Sequence, residues 1–208
     1  MMKATKTSVW VAAAAVCFAG GVAHATASAS RPKMAQAVRQ YLTEHGDLCV
    51  GKSSWPRFVT EEDRQSGSND ALQLPVLERL GLVESESGPA GSVKRYSLTA
   101  KGRRFYLQKK VTILGAHDRP VERDADFCVA RLSLDKVVKW TPPEQTHGHV
   151  ETVVSYTYNI QSADWMLDPE ARKVFPVVDR IIRGKGNALM TATLQARNGK
   201  WVPVLPGQ

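Results

Sequence analysis

The chain has 208 residues, 28 Lys and Arg against 20 Asp and Glu, and a formal net charge of +8. That length suits one domain of ordinary size or two small ones sharing an interface, and no apolar run is long enough to span a bilayer comfortably, which argues against a helical membrane protein. The basic balance favours anionic partners without choosing among nucleic acid, phosphorylated head groups, wall carboxylates and an acidic protein.

Residues 1–29 read as an address. Lys3 and Lys6 charge the N-terminus, Val9 to Gly21 is an apolar run, and Ala23-His24-Ala25 and Ala27-Ser28-Ala29 offer two cleavage sites of small residues. A cleaved export signal and a periplasmic or secreted protein are expected, soluble and not membrane-spanning after cleavage. Cys17 would leave with the signal, and its Ala14-Ala15-Val16 context lacks the usual setting of a lipoprotein cysteine. Cys49 and Cys128 remain, an even pair in an oxidising compartment, which predicts one disulfide.

Residues 33–46 are expected to be helical, with Met34, Ala37, Val38, Tyr41 and Leu42 at helical spacing and Gly46 at the end. Gly51 to Asp70 reads as a loop with one short helix. Leu72, Leu74, Val76, Leu77 and Leu80 supply a second short helix, starting near Pro75 and stopping at Gly81. Leu82-Val83-Glu84, the turn Gly88-Pro89-Ala90-Gly91 and the strand Lys94–Leu98 make a hairpin. Thr99 can cap a helix from Ala100 to about Gln108.

Within this stretch the chain reads Leu77-Glu78-Arg79-Leu80-Gly81-Leu82-Val83 and then Tyr96-Ser97-Leu98-Thr99-Ala100-Lys101-Gly102-Arg103. It resembles the winged-helix domains of small bacterial transcription regulators over residues 33–110. The resemblance implies a winged-helix fold and raises DNA binding as a function. Pro75 departs from the pattern, because it falls where the family's recognition helix runs unbroken and would shorten or kink it.

The second half alternates. Asp126 to Trp140 predicts a strand with Cys128, Ala130, Leu132 and Leu134 on one face, and Val150 to Ile160 a second with Val154, Tyr156, Tyr158 and Ile160 sharing a face. Asp168-Pro169 starts a helix with the stripe Val174, Val177, Val178 and Ile181, kinked or shortened by Pro176. Asn187 to Ala196, Asn198-Gly199 and Trp201 to Val204 form a terminal hairpin. The expected fold class is α+β: a winged-helix-like module over 30–112, then an antiparallel sheet with one helix over 113–208, the two stapled by the Cys49–Cys128 bridge.

Major-groove reading needs Arg, Lys, Asn or Gln on the recognition helix. Asn69, Gln73 and Arg79 are offset there by Asp70 and Glu78, leaving the helix close to neutral. The positive charge lies later, in Lys94, Arg95, Lys101, Arg103, Arg104, Lys109 and Lys110, a strip suited to an anionic partner or to a solvated face. His147, His149 and Glu151 alternate as ligands on a strand can, with His117 and Asp118 as further candidates, but the spacing is no recognised metal pattern. No nucleophile elbow or phosphate-cradling glycine loop is present, so neither a catalytic residue nor a cofactor is assigned. Trp165, beside Asp164 ahead of a helix, is the aromatic placed for partner contact, with core packing as its alternative. The expected function is an exported, non-enzymatic envelope protein binding a protein or an anionic surface component. Nucleic acid is disfavoured, and the alternatives are a winged-helix nucleic-acid-binding regulator and a periplasmic metal-dependent enzyme.

Overall fold

A computed structural model describes residues 28–88, 92–114, 120–146 and 148–204. Residues 1–27 of the expected export signal lie outside the described residues, as do His117, Asp118, His147 and residues 89–91 of the expected hairpin turn.

The first helix, α1 (Arg31–His45), carries Pro in its first turn, where the fixed φ suits helix initiation, and buries Met34, Ala35, Ala37, Val38 and Leu42 along one face. Gly46 ends it for a steric reason: a Cβ there would lie 2.3 Å from the Leu42 carbonyl oxygen and 2.7 Å from that of Leu132. There follow β1 (Asp47–Cys49), β2 (Arg57–Thr60), α2 (Glu61–Ser66), α3 (Asn69–Arg79), β3 (Val83–Ser87), β4 (Val93–Leu98) and α4 (Ala100–Arg103). Next come β5 (Tyr106–Leu107), β6 (Val111–Leu114), β7 (Pro120–Arg123), β8 (Asp126–Trp140), β9 (Glu144–Thr146) and β10 (His149–Ser162). After a 3-10 turn at Asp164–Leu167, the chain forms α5 (Pro169–Val174), α6 (Pro176–Arg183), β11 (Met190–Arg197) and β12 (Lys200–Pro203).

These elements make a mixed helix-and-sheet fold. The main antiparallel sheet has the order β1-β8-β10-β11-β12, with β5 added to β8 and β9 to β10. It curls, because the β8–β10 ladder slips register at Ser155/Tyr156 and at Thr157/Tyr158, and each bulge bends the strand and adds twist. The α1 helix lies on the curled face, where Met34, Val38 and Leu42 pack with Leu132, Val137, Tyr156, Tyr158, Leu194 and Trp201. A smaller sheet has the order β2-β4-β3. It joins α3, the start of β8, and the helical segment 164–182 in a second core around Leu74, Leu77, Tyr96, Phe127, Trp165 and Phe175.

Several expectations are met in place. The α1 helix, the β3–β4 hairpin, the Thr99 cap, β8, β10 and the terminal hairpin stand where the pattern put them, and Asn198 and Gly199 both take positive φ as a two-residue turn between paired strands demands. Cys49 and Cys128 form a disulfide. Gly102 of the Lys-Gly pair has a packing reason, since a Cβ there would come within 1.9 Å of the Leu82 carbonyl oxygen.

Other expectations are corrected. The stretch Gly51–Asp70 holds a strand as well as a short helix, because Arg57–Thr60 pair with Val93–Tyr96. The α3 helix begins at Asn69 rather than near Pro75, for Ser68 caps it by accepting from Ala71 N–H at 3.3 Å; Pro75 sits exposed inside it. The helix after Thr99 ends at Arg103, not Gln108, since Tyr106 and Leu107 leave to pair with Phe127 and Asp126. The second half carries two helices and a 3-10 turn in place of one helix, because Pro176 starts a new helix after Phe175 leaves helical geometry. Each core draws on both halves of the chain: α1 and β1 pack with the large sheet, and α5 and α6 with the small one. The disulfide correspondingly joins neighbouring strands of one sheet, β1 and β8, rather than two modules.

Candidate functional site

A partly buried ion-pair cluster lies where the loop after β1 meets the start of α3. Gly51 turns with positive φ and sends Lys52 inward, leaving that residue only 2% exposed. Its Nζ donates to Asp70 Oδ1 at 2.5 Å, while Arg57 Nε donates to Asp70 Oδ2 at 2.6 Å. The Lys52 backbone N–H is fixed by Asp126 Oδ1 at 2.7 Å. Burial strips water from the Lys52 ammonium and lowers its pKa below the usual lysine range, more than the adjacent carboxylate restores. Burial would by itself raise the Asp70 carboxyl, but the hydrogen bonds and charges of Lys52 and Arg57 together outweigh it and hold its pKa down.

A cleft of about 440 Å³ opens beside this cluster, reaching Arg57, Asp63, Ser68, Asn69 and Gln73. A perturbed lysine in a cleft is the kind of group that can act as base or nucleophile. The geometry here gives it another task. Its amine is turned onto Asp70 and away from solvent, Ser68 serves as a helix cap, and Gln73 Nε2 donates to the Val174 carbonyl at 3.0 Å. The cluster is an ion-pair lock holding the loop, β2 and the start of α3 together. No sequence motif marked Lys52, Arg57 or Asp126, because one Lys in a Gly-Lys-Ser-Ser loop carries no sign of burial.

Of the three residues offered for base reading on α3, Gln73 and Arg79 have internal partners, and Asn69 is exposed on the rim of the cleft. Gln73 bonds to the end of α5, Arg79 NH2 donates to Asp168 Oδ1 at 2.6 Å, and Asp70 is inside the lock. Arg79 and Asp168 sharpen each other, the hydrogen bond raising the guanidinium pKa and lowering that of the carboxyl. The α5 helix thus packs along one side of α3, while Asn69, Leu72, Pro75 and Arg79 stay exposed on the helix.

The expected basic strip is similarly occupied. Lys94 stands 3.8 Å from Glu78, Arg95 donates to Glu86 at 3.1 Å, and Lys109 pairs with Asp47. Lys101 and Arg103 donate to the Leu80 and Leu98 carbonyl oxygens, both at 2.8 Å. Arg104 is exposed, and Lys110 is engaged within the protein. Strand alternation also puts Lys94 and Arg95 on opposite faces of β4, so these two do not share a face.

His149 is exposed at the start of β10, and Glu151 accepts from Gln195 Nε2 at 3.2 Å. Their companion His147 lies outside the described residues. Among the described residues no three His, Cys, Asp or Glu side chains gather as a metal site, and no helix is long and apolar enough to cross a membrane. Trp165 is a core residue, 7% exposed and packed against Phe105, Phe127 and Phe175 with ring centroids about 6 Å apart, which removes it as an exposed partner contact.

A second groove, which the sequence did not announce, runs between α1 and β8. It holds about 480 Å³ and is lined by Arg31, Ala35 and Arg39 on one side and by residues 134–137 on the other.

No protein-family model, curated protein or solved structure matches this chain.

Proposed function

We propose that the chain is an exported, non-catalytic module that binds a protein partner. The observation that carries this reading is the use made of α3: Gln73 and Arg79, two of its side chains suited to base reading, are tied instead to the Val174 carbonyl and to Asp168. The order β2-α2-α3-β3-β4, with β4 between β2 and β3, supports the resemblance to a winged helix turned to a different use, since a fold does not prescribe a function. The Cys49–Cys128 bridge and the leader both suit an oxidising compartment outside the cytoplasm. Exposed apolar side chains at Phe58, Leu72 and Leu167, each more than half exposed, offer surface for contact.

In-cell photocrosslinking tests the reading. A photoreactive residue placed in turn at Phe58, Leu72, Val138 and Leu167 is expected to give a discrete protein adduct in the envelope or the medium, on a chain cut near Ala25 or Ala29. The purified chain is expected to show no retention by duplex DNA. Absence of adducts from all four positions, or DNA retention that falls steeply with salt as phosphate contacts require, overturns it.

A further inference from the structure

Resting on that reading, we infer that the groove between α1 and β8 is the docking surface, and that its occupant is an extended, acidic peptide segment of the partner laid along the outer edge of β8. One edge of β8 is paired with β10 from Ala130 to Trp140. The other meets β1 as far as Arg131, and Leu132 N–H donates to the Gly46 carbonyl at 2.7 Å. Beyond that, among the described residues, no strand pairs with the edge from Ser133 to Trp140. An open edge is a template for a further strand, whose main chain supplies affinity while side-chain contacts supply choice. Arg31 already marks the acceptor: its guanidinium donates to the Val137 carbonyl, where an incoming N–H would stand, and lies over the Trp140 ring at 5.6 Å.

Charge selects the occupant. Arg31, Arg39 and Lys136 rim a floor made by Ala35, Leu134 and Val137, and Lys139 follows on the same strand. Neither Arg39 nor Lys136 has a side-chain partner among the described residues, in contrast to Lys94, Arg95, Lys101, Arg103 and Lys109. The single acid in the groove, Asp135, accepts from Thr157 Oγ1 at 2.7 Å. A second copy of this chain would bring like charges together across the edge, and like charges juxtaposed at an interface are a penalty. The described chain ends do not fill the groove either. Ser28 accepts from the Trp201 indole, and Val204 N–H bonds to Thr193, both at the β12 side of the sheet. The bulges at Asp135 and Val138, which pair with nothing on β10, bend the edge so that indiscriminate pairing is disfavoured.

The test uses the processed chain and three end-capped octapeptides: alternating Glu and Val, alternating Lys and Val, and the Glu/Val peptide N-methylated at every second residue. The Glu/Val peptide is expected to bind in a salt-dependent way and to slow hydrogen exchange at amides within 133–140, while the other two bind at least about tenfold more weakly. The double variant Arg39→Glu with Lys136→Glu is expected to reverse the preference toward the Lys/Val peptide, which also certifies that the variant is folded. Equal binding of the N-methylated peptide, protection elsewhere than 133–140, or no binding overturns the inference. So does a concentration-dependent dimer abolished by the double variant. In the crosslinking experiment an adduct is expected from Val138. Adducts from the other positions alone would overturn the groove and leave the binding-module reading standing, whereas no adduct at any position would sink that reading.

Discussion

At the scale of single residues, the Lys52–Asp70–Arg57 lock has a clear electrostatic consequence. Removing one partner of a buried pair strands the other, so Asp70→Ala is expected to lower stability by about 3 kcal/mol, while Lys52→Met, which leaves Asp70 with Arg57, changes it by only about 1 kcal/mol. Urea unfolding of the two variants checks the asymmetry. The same residues set a pH dependence. Asp70 has a depressed pKa, so its contribution is complete above the ordinary carboxylate range and is lost as pH falls through the depressed value. Lys52 acts in the alkaline range: between its lowered pKa and the ordinary lysine value the unfolded chain binds the extra proton, so stability rises with pH there. The urea midpoint followed against pH is expected to fall on the acid side, and Asp70→Asn is expected to flatten that limb.

At the scale of elements, α3 carries a local cost that its surroundings tolerate. Pro75 removes one helical N–H and crowds the preceding turn, yet the helix persists because Leu74 and Leu77 on either side are fully buried. Pro75→Ala restores the missing bond at an exposed position and is expected to raise stability by about 1–3 kcal/mol, seen as a higher thermal midpoint. Between β1 and β8 the disulfide closes 79 residues of sequence. Its replacement by Cys49→Ser with Cys128→Ser is expected to cost about 2–4 kcal/mol in denaturant unfolding, and alkylation of the wild type is expected only after reduction.

At the scale of the molecule, two cores are made into one body by the long strand β8, and one of them is built around an aromatic cluster. Phe127 and Val129 at the start of β8 lie in one core and Leu132 and Val137 further along lie in the other. Trp165 stands at the meeting of Phe105, Phe127 and Phe175, and Trp165→Ala is expected to cost about 3–5 kcal/mol, measured by chemical denaturation. Because β8 belongs to both cores, that loss is expected in a single transition rather than in one half alone.

Read from its sequence alone, the chain declares its periodic and punctuated parts. The spacing of Met34, Val38 and Leu42 encodes α1, the alternation in 126–140 and 150–160 encodes β8 and β10, and Asn198-Gly199 encodes a turn, because each follows from backbone geometry within a few residues. The cysteine pair was legible by parity. Partnership was not: that α1 crosses to the late sheet, that α5 closes over α3, that Lys52 is buried on Asp70 and that the β8 edge stays open beside Arg39 all join residues far apart in sequence. Such contacts are decided by which apolar faces can cover one another in three dimensions, and helical or strand periodicity carries no information about which face meets which.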